Sequence, residues 1–286
     1  MRAAQVVRLA GPAGVDVVDV PEPESRPDRV VVDVHAAGVG FPDLLLSRGE
    51  YQLRPELPFT LGVDFAGVVR SAPDGGELRP GDRVAGWDRI GAAAEVVTVS
   101  ATNVFPLPDT VDYTTGACLP LNYLTAYYAL TVRGGLRSGE TMLVTGGGGG
   151  LGTAVVQVAR AFGARVLATG STAEKRTIAL QAGAHEALPA TDFAAAAREL
   201  TGGQGVDMVV DVVGGQELTT GALRSLAPLG RLLVVGFTSG ELADVKLNRL
   251  LAEQHRRAWR GLGALHAIAR RLSAYAVGRD PSVAAW

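Results

Sequence analysis

Thr145-Gly146-Gly147-Gly148-Gly149-Gly150-Leu151-Gly152 stands between an apolar run at residues 142–145 and a stretch of helical spacing at residues 152–162. Gly147, Gly149 and Gly152 satisfy G-x-G-x-x-G. Glycine is required in that pattern to turn tightly, to let backbone approach a pyrophosphate, and to pack the helix on the strand. The helix start then offers unpaired N–H groups and a positive dipole end to phosphate. A strand, a glycine turn and a helix in this order predict a dinucleotide site that includes Gly146, Gly147, Gly149, Gly150, Leu151 and Gly152.

Working outward, residues 165–169 form a second apolar strand and residues 173–182 a second helix. Further apolar strands at residues 206–210 and 231–235 are each followed by glycine. Strands alternating with helices predict an α/β fold with a doubly wound parallel sheet. An NAD site places an acid roughly 20 residues past the glycines, on the ribose 2′-hydroxyl. That place reads Ala168-Thr169-Gly170-Ser171-Thr172, followed by Lys175 and Arg176. Hydroxyls and a cation suit a 2′-phosphate, which a carboxylate would repel. Ser171 and Lys175 therefore point to NADPH; the alternative is that Lys175 and Arg176 form an ordinary solvated face of a helix.

Toward the N-terminus the pattern changes. Short β segments at residues 30–35, 66–70, 82–85 and 94–99 are broken by Pro21-Glu22-Pro23, Asp74-Gly75-Gly76 and Pro80-Gly81-Asp82. This predicts a mostly β unit with few long helices. The chain of 286 residues is 47% apolar and 20% charged, with a formal net charge of −2. It can bury a core, and its charge favours neither nucleic acid nor an anionic membrane as partner. With no run near the ~18 apolar residues of a membrane span, and no secretory leader, a cytoplasmic protein is expected. The single cysteine, Cys118, forbids an internal disulfide and a multi-cysteine zinc site.

Several stretches carry a resemblance. They are Gly38-Val39 with Asp43, Arg48-Gly49-Glu50-Tyr51, and Leu57-Pro58-Phe59 leading to Gly62 and Gly67. Pro80-Gly81-Asp82-Arg83-Val84 and Leu119-Pro120-Leu121-Asn122-Tyr123-Leu124-Thr125 come next, then Gly202–Asp207, Asp211 to Gly215, and Gly230 to Phe237. In this order, over roughly residues 1–250, they resemble the zinc-free medium-chain dehydrogenase/reductase superfamily, in its NADPH:quinone oxidoreductase (ζ-crystallin-like) branch.

The resemblance implies a GroES-like, mostly β catalytic domain at residues 1–118 and a Rossmann dinucleotide-binding domain at residues 119–251, with the active site between them. It implies NADPH-dependent reduction of a small-molecule quinone or enone by hydride transfer. Asn122 and Thr125 should lie near the nicotinamide or diphosphate, Tyr51 near the substrate, and Val213, Phe237 and Thr238 beside the nicotinamide ribose. Tyr51 and Asn122 are the catalytic candidates. Tyr51 could equally anchor a loop, and Phe237 could be plain core.

Zinc-dependent relatives carry Gly-His-Glu where this chain has Gly62-Val63-Asp64, so no metal is expected and Asp64 should cap or turn. Gly40 replaces a family asparagine, and a tyrosine expected near the 2′-phosphate falls close to Ala190. Two other readings stay open: a 2-enoyl-thioester reductase with Tyr51 as the acid, and a non-catalytic NADPH-binding protein.

Beyond Leu251 the resemblance stops. Ala252-Glu253-Gln254-His255-Arg256-Arg257 and the residues after them stand in place of the family's sixth Rossmann strand and final helix. Residues 252–286 read as an atypical tail, with a shift of reading frame near residue 252 as the leading explanation. Synonymous codons exist for which the alternative frame resembles the missing strand. Without that strand the fifth becomes an open edge, and a homodimer built along it is weakened. Sequencing the coding DNA across this point is expected to show family-like sequence in the alternative frame. An unbroken frame without it would exclude the shift.

Overall fold

The computed structural model describes residues 1–241 and 243–245. The tail at residues 252–286 lies outside the described residues.

The N-terminal part carries two antiparallel sheets. Strands β1 (Arg2–Val6), β2 (Val15–Asp19) and β4 (Phe59–Thr60) make one, in the order β2-β1-β4. Strands β3 (Arg29–Ala37), β5 (Asp64–Ser71), β6 (Arg83–Trp87), β7 (Val96–Ser100) and β8 (Val104–Pro106) make the other, ordered β7-β3-β5-β6-β8. Alternate residues Val30 and Val32 point inward with Phe65, Val69 and Val84 to form its core, the period-two burial of a half-covered sheet. Helix α1 (Phe41–Arg48) buries Leu46 against Val6 and Phe59 of the three-stranded sheet, and a one-turn helix, α2 (Tyr113–Gly116), packs on β3 and β5. As the turn-rich sequence predicts, helices here are short.

Helix α3 (Pro120–Tyr127) leads into a five-stranded parallel sheet. Its strands are β9 (Thr141–Val144), β10 (Arg165–Gly170), β11 (Glu186–Pro189), β12 (Val206–Asp211) and β13 (Leu226–Val234), in the spatial order β11-β10-β9-β12-β13. Counted from β9, this is the 3-2-1-4-5 order of a Rossmann sheet. The α/β, doubly wound expectation therefore holds. Among the described residues β13 is an edge strand, paired with β12 alone.

Helices α4 (Gly150–Ala161), α5 (Ala173–Gln181), α6 (Phe193–Leu200) and α7 (Gln216–Ser225) make the crossovers. Strand β9 shows why both sheet faces are covered. Met142 and Val144 enter the cluster under α4 with Ala154, Val155 and Val156, while Leu143 enters the opposite one with Phe193, Ala197 and Ala222. Strands apolar on both faces are what a buried parallel sheet needs.

Strand β13 begins at Leu226 rather than near residue 231, because Ala227-Pro228-Leu229-Gly230 interrupts the pairing. Val206 faces Leu226, and the register resumes only at Met208 with Arg231. Proline lacks the N–H for the ladder, and Leu229 takes a left-handed φ of 65°. The run therefore looks like a loop. The short β11 and helices α6 and α7 also exceed what apolar spacing indicated.

The glycine turn packs closely against the start of α4. A Cβ on Gly152 would meet the Gly146 carbonyl oxygen at 2.1 Å, whereas one on Gly149 would have that oxygen at 3.4 Å. Gly152→Ala is expected to lower unfolding free energy by on the order of 3 kcal/mol, and Gly149→Ala by less than about 1 kcal/mol. Urea unfolding of both variants checks this. Equal effects would show that helix α4 can move off the turn without penalty.

Candidate active site

The C-terminal ends of β9 and β12 meet where the strand order reverses, the place where open α/β sheets bind ligands. Asp211 fixes this point. Wholly buried, it accepts from Thr145 Oγ1 at 2.7 Å, Thr219 Oγ1 at 2.8 Å and the Gly214 N–H at 2.9 Å. Thr145 Oγ1 accepts in turn from the Val212 N–H at 2.9 Å. Both strand ends and the turn into α7 are thereby held in one network.

A cleft of about 620 Å³ opens above this point. Gly146, Gly149, Gly150, Leu151 and Gly152 form its floor, with Val213, Phe237 and Thr238 on one side. Tyr51, Asn122 and Thr125 close it from the other side, and Ser171 and Lys175 stand at its far end. The candidates read from the sequence are thus brought to one place, with one exception. Gly147 does not line the cleft; it faces Ala168 and Ala179, where a Cβ would meet the Ala168 Cβ at 2.6 Å. Its role is packing between β10 and α5.

Asn122 Nδ2 donates to the Cys118 carbonyl at 3.1 Å, and its amide lies against Gly150. Tyr51 lines the cleft and also packs on the cluster of Val6, Leu46 and Phe59, so the anchoring and site-lining readings both apply. Phe237 is no plain core residue: its ring meets Phe41 edge-on at 6.3 Å, joining the two walls. Thr172 caps α5 by accepting the Lys175 N–H at 3.2 Å. Arg176 is tied to the Gly170 carbonyl, whereas the Lys175 ammonium has no partner among the described residues. Ala190 lies in the same end of the cleft.

The residues fit a dinucleotide. The N–H groups of Gly150, Leu151 and Gly152 have no acceptor among the described residues and open onto the cleft at the start of α4. A Cβ on Gly149 would have only the Gly146 carbonyl oxygen near it, so the turn is open at this point.

Two buried carboxylates at the opposite end were underweighted in the sequence. Asp43, in the first turn of α1, accepts the Gly40 N–H through Oδ2 at 2.8 Å and the Gly62 N–H through Oδ1 at 2.9 Å. Burial raises its pKa, and these N–H groups oppose the rise. Asp64 is 6% exposed, and its Oδ1 accepts the Leu121 N–H at 3.0 Å at the start of α3. It caps, as expected. Loss of water pushes its pKa up to about 7, against the Leu121 hydrogen bond and helped by the charge of Asp43. The signal available in the sequence was an acid in an otherwise apolar strand. Cys118, Leu121, Phe41 and Val39 complete this end. Among the described residues no three His, Cys, Asp or Glu side chains come together as a metal site, and no helix is long and apolar enough to cross a membrane.

Because Asp64 is raised on folding, the folded state binds the extra proton between about pH 4 and pH 7. Stability therefore falls as pH rises through that window. Asp64→Asn is expected to remove this part of the slope, as read by urea unfolding at successive pH values. An unchanged slope would show that Asp64 is ionised throughout.

Residues 26–109 match the family described as alcohol dehydrogenase GroES-like domain, and residues 150–269 match the zinc-binding dehydrogenase family. The second match runs past Leu251, into the stretch read from the sequence as departing from the family. Quinone oxidoreductase-like protein 2 of Bos taurus is 39% identical over 254 residues, covering 87% of this chain and 72% of the relative. A probable oxidoreductase of Mycobacterium abscessus is similar in structure, with a TM-score of 0.78 and 42% identity over 95% of this chain and 88% of the other. Escherichia coli quinone oxidoreductase complexed with NADPH superposes with a TM-score of 0.81 at 29% identity, covering 88% and 78%. With the Rossmann strand order, the antiparallel sheets and the cleft between them, these likenesses make the chain an oxidoreductase enzyme of the medium-chain dehydrogenase/reductase superfamily, in its quinone oxidoreductase branch.

Proposed function

We propose that the chain reduces quinones or related conjugated carbonyls with NADPH, without a metal ion, in the cleft between a catalytic unit at residues 1–118 and a dinucleotide unit at residues 119–251. One observation carries the reading. The open N–H groups at the start of α4 and Lys175, a cation without a partner among the described residues, lie along the same cleft, with Ser171 and no carboxylate beside them.

Bound NADPH supplies a hydride from the nicotinamide ring. The protein's part is to bind and orient. Gly150, Leu151 and Gly152 present N–H donors to the diphosphate. Ser171 and Lys175 take the 2′-phosphate, with Ala190 leaving them room. Asn122 and Thr125 on α3 face the nicotinamide end, and Val213, Phe237 and Thr238 bound its ribose. Phe41, Val39 and Leu121 make the acceptor end apolar, which excludes water and suits a flat conjugated ring. The donor set favours a metal-free reaction, since Cys118 is the only cysteine and no third His, Cys, Asp or Glu joins Asp43 and Asp64 among the described residues.

The reading is tested by fluorescence titration of the purified chain with NADPH and NADH, followed by NADPH oxidation with a benzoquinone and with crotonyl thioester. NADPH is expected to bind more tightly than NADH. Lys175→Ala should weaken NADPH about tenfold, the loss of one charge-assisted hydrogen bond, and Ser171→Asp should reverse the preference. Turnover of the quinone supports the proposal, and turnover of the thioester alone replaces it with an enoyl reductase. Tight NADPH binding with neither acceptor reduced would make the chain a binding protein.

A further inference from the structure

We propose that Asp64 is the acid of this reaction, its Oδ2 giving a proton to the carbonyl oxygen of the acceptor. The inference rests on the reductase reading and adds to it the source of the proton.

Reduction of a conjugated carbonyl takes up one hydride and one proton. The cofactor provides the hydride and both electrons; it cannot provide the proton. In the proposed step the O–H bond of Asp64 breaks and an O–H bond forms on the acceptor. The acceptor is reduced, the cofactor is oxidised, and Asp64 is left as a carboxylate that regains a proton from water.

The geometry singles out this residue. Asp64 lines the cleft at its acceptor end, beside Val39, Leu121 and Cys118. Its Oδ1 is held by the Leu121 N–H, while Oδ2 receives no hydrogen bond from the described residues. One oxygen is thus anchored and the other is left for a proton. Asp43 cannot serve, because each of its oxygens accepts a backbone N–H.

Other groups also surround Asp64. Helix α1 contributes Asp43, the segment after it Tyr51, and the segment before α3 Cys118. Strand β6 places Trp87 opposite Asp64, with Asp88 next along the chain and paired with Arg29. Lys175 is at the other end of the cleft, beside Ser171. Asp43 is the charge that acts on Asp64, and burial together with that charge keeps Asp64 protonated up to about pH 7. An acid poised near the working pH is what proton transfer requires. Two neighbouring carboxylates, one fixed by N–H donors and one desolvated, divide the roles of anion and acid.

Asp64→Asn keeps the side-chain oxygen that accepts from Leu121 and removes the proton. Its NADPH affinity is expected to stay within about twofold of the parent, while its kcat with a benzoquinone falls about 100-fold, the usual contribution of a general acid. The parent kcat should decline as pH rises through about 7, and the variant's should be flat. Asp64→Glu, which retains an acid, should keep a pH-dependent rate. In the cofactor-free parent, infrared difference spectra across neutral pH should show loss of a protonated carboxyl band that Asp64→Asn lacks. An Asn variant with the parent rate and profile overturns the role of Asp64 and leaves the reductase reading intact. Absence of the carboxyl band overturns it whatever the rates. Failure of the parent to oxidise NADPH with any acceptor overturns the reductase reading, and the donor role with it.

Discussion

Helix α4 starts in contact with the turn that precedes it. The Gly146 carbonyl sits where a side chain at Gly152 would have to be, and the Lys175 carbonyl sits where one at Gly148 would be, 2.3 Å from its Cβ. Backbone therefore packs on backbone along both flanks of the turn. That approach sets the tilt of α4 against β9 and brings α5 close beside it. It also leaves the first N–H groups of α4 without acceptors among the described residues and open to the cleft.

The second constraint is the buried carboxylate of Asp211. An isolated charge in that position would be strongly unfavourable. Four donors from the residue after β9, the turn after β12 and α7 make it tolerable, and they lock two neighbouring strand ends at the point of reversal. Asp43 does a similar job in the other part, joining the start of α1 to the segment before β5. Asp64 differs from both. It has a single N–H partner among the described residues, and its location is too dry to hold a charge comfortably at neutral pH. Such under-supplied polar groups concentrate at functional sites.

Much of the site was legible in order along the chain. The glycine spacing, the missing acid after β10 and the hydroxyl and lysine beyond it are local features whose chemistry does not depend on distant partners. Thr125, Val213, Phe237 and Thr238 were reached only through resemblance, since nothing in a lone Thr or Phe signals a cofactor. Gly147 was read as a ligand because the motif counts all its glycines alike, yet motif membership does not say which way a Cα faces. Strand β13 was shortened because Pro228 and Gly230 look like the end of an element, although pairing with β12 carries the strand across them.

The sequence by itself determined the parallel Rossmann sheet and the glycine turn between β9 and α4, and it raised the NADPH reading at Ser171 and Lys175. These rest on near-neighbour rules: periodicity, glycine spacing and the sign of nearby charge. Only the tertiary structure decided that Asp43 and Asp64 share one dry end of the cleft, that Leu121 reaches across to hold one Asp64 oxygen, and that Phe41 meets Phe237. Those residues are separated by up to 196 positions along the chain, and burial and charge–charge proximity come into being only when the two parts close on each other.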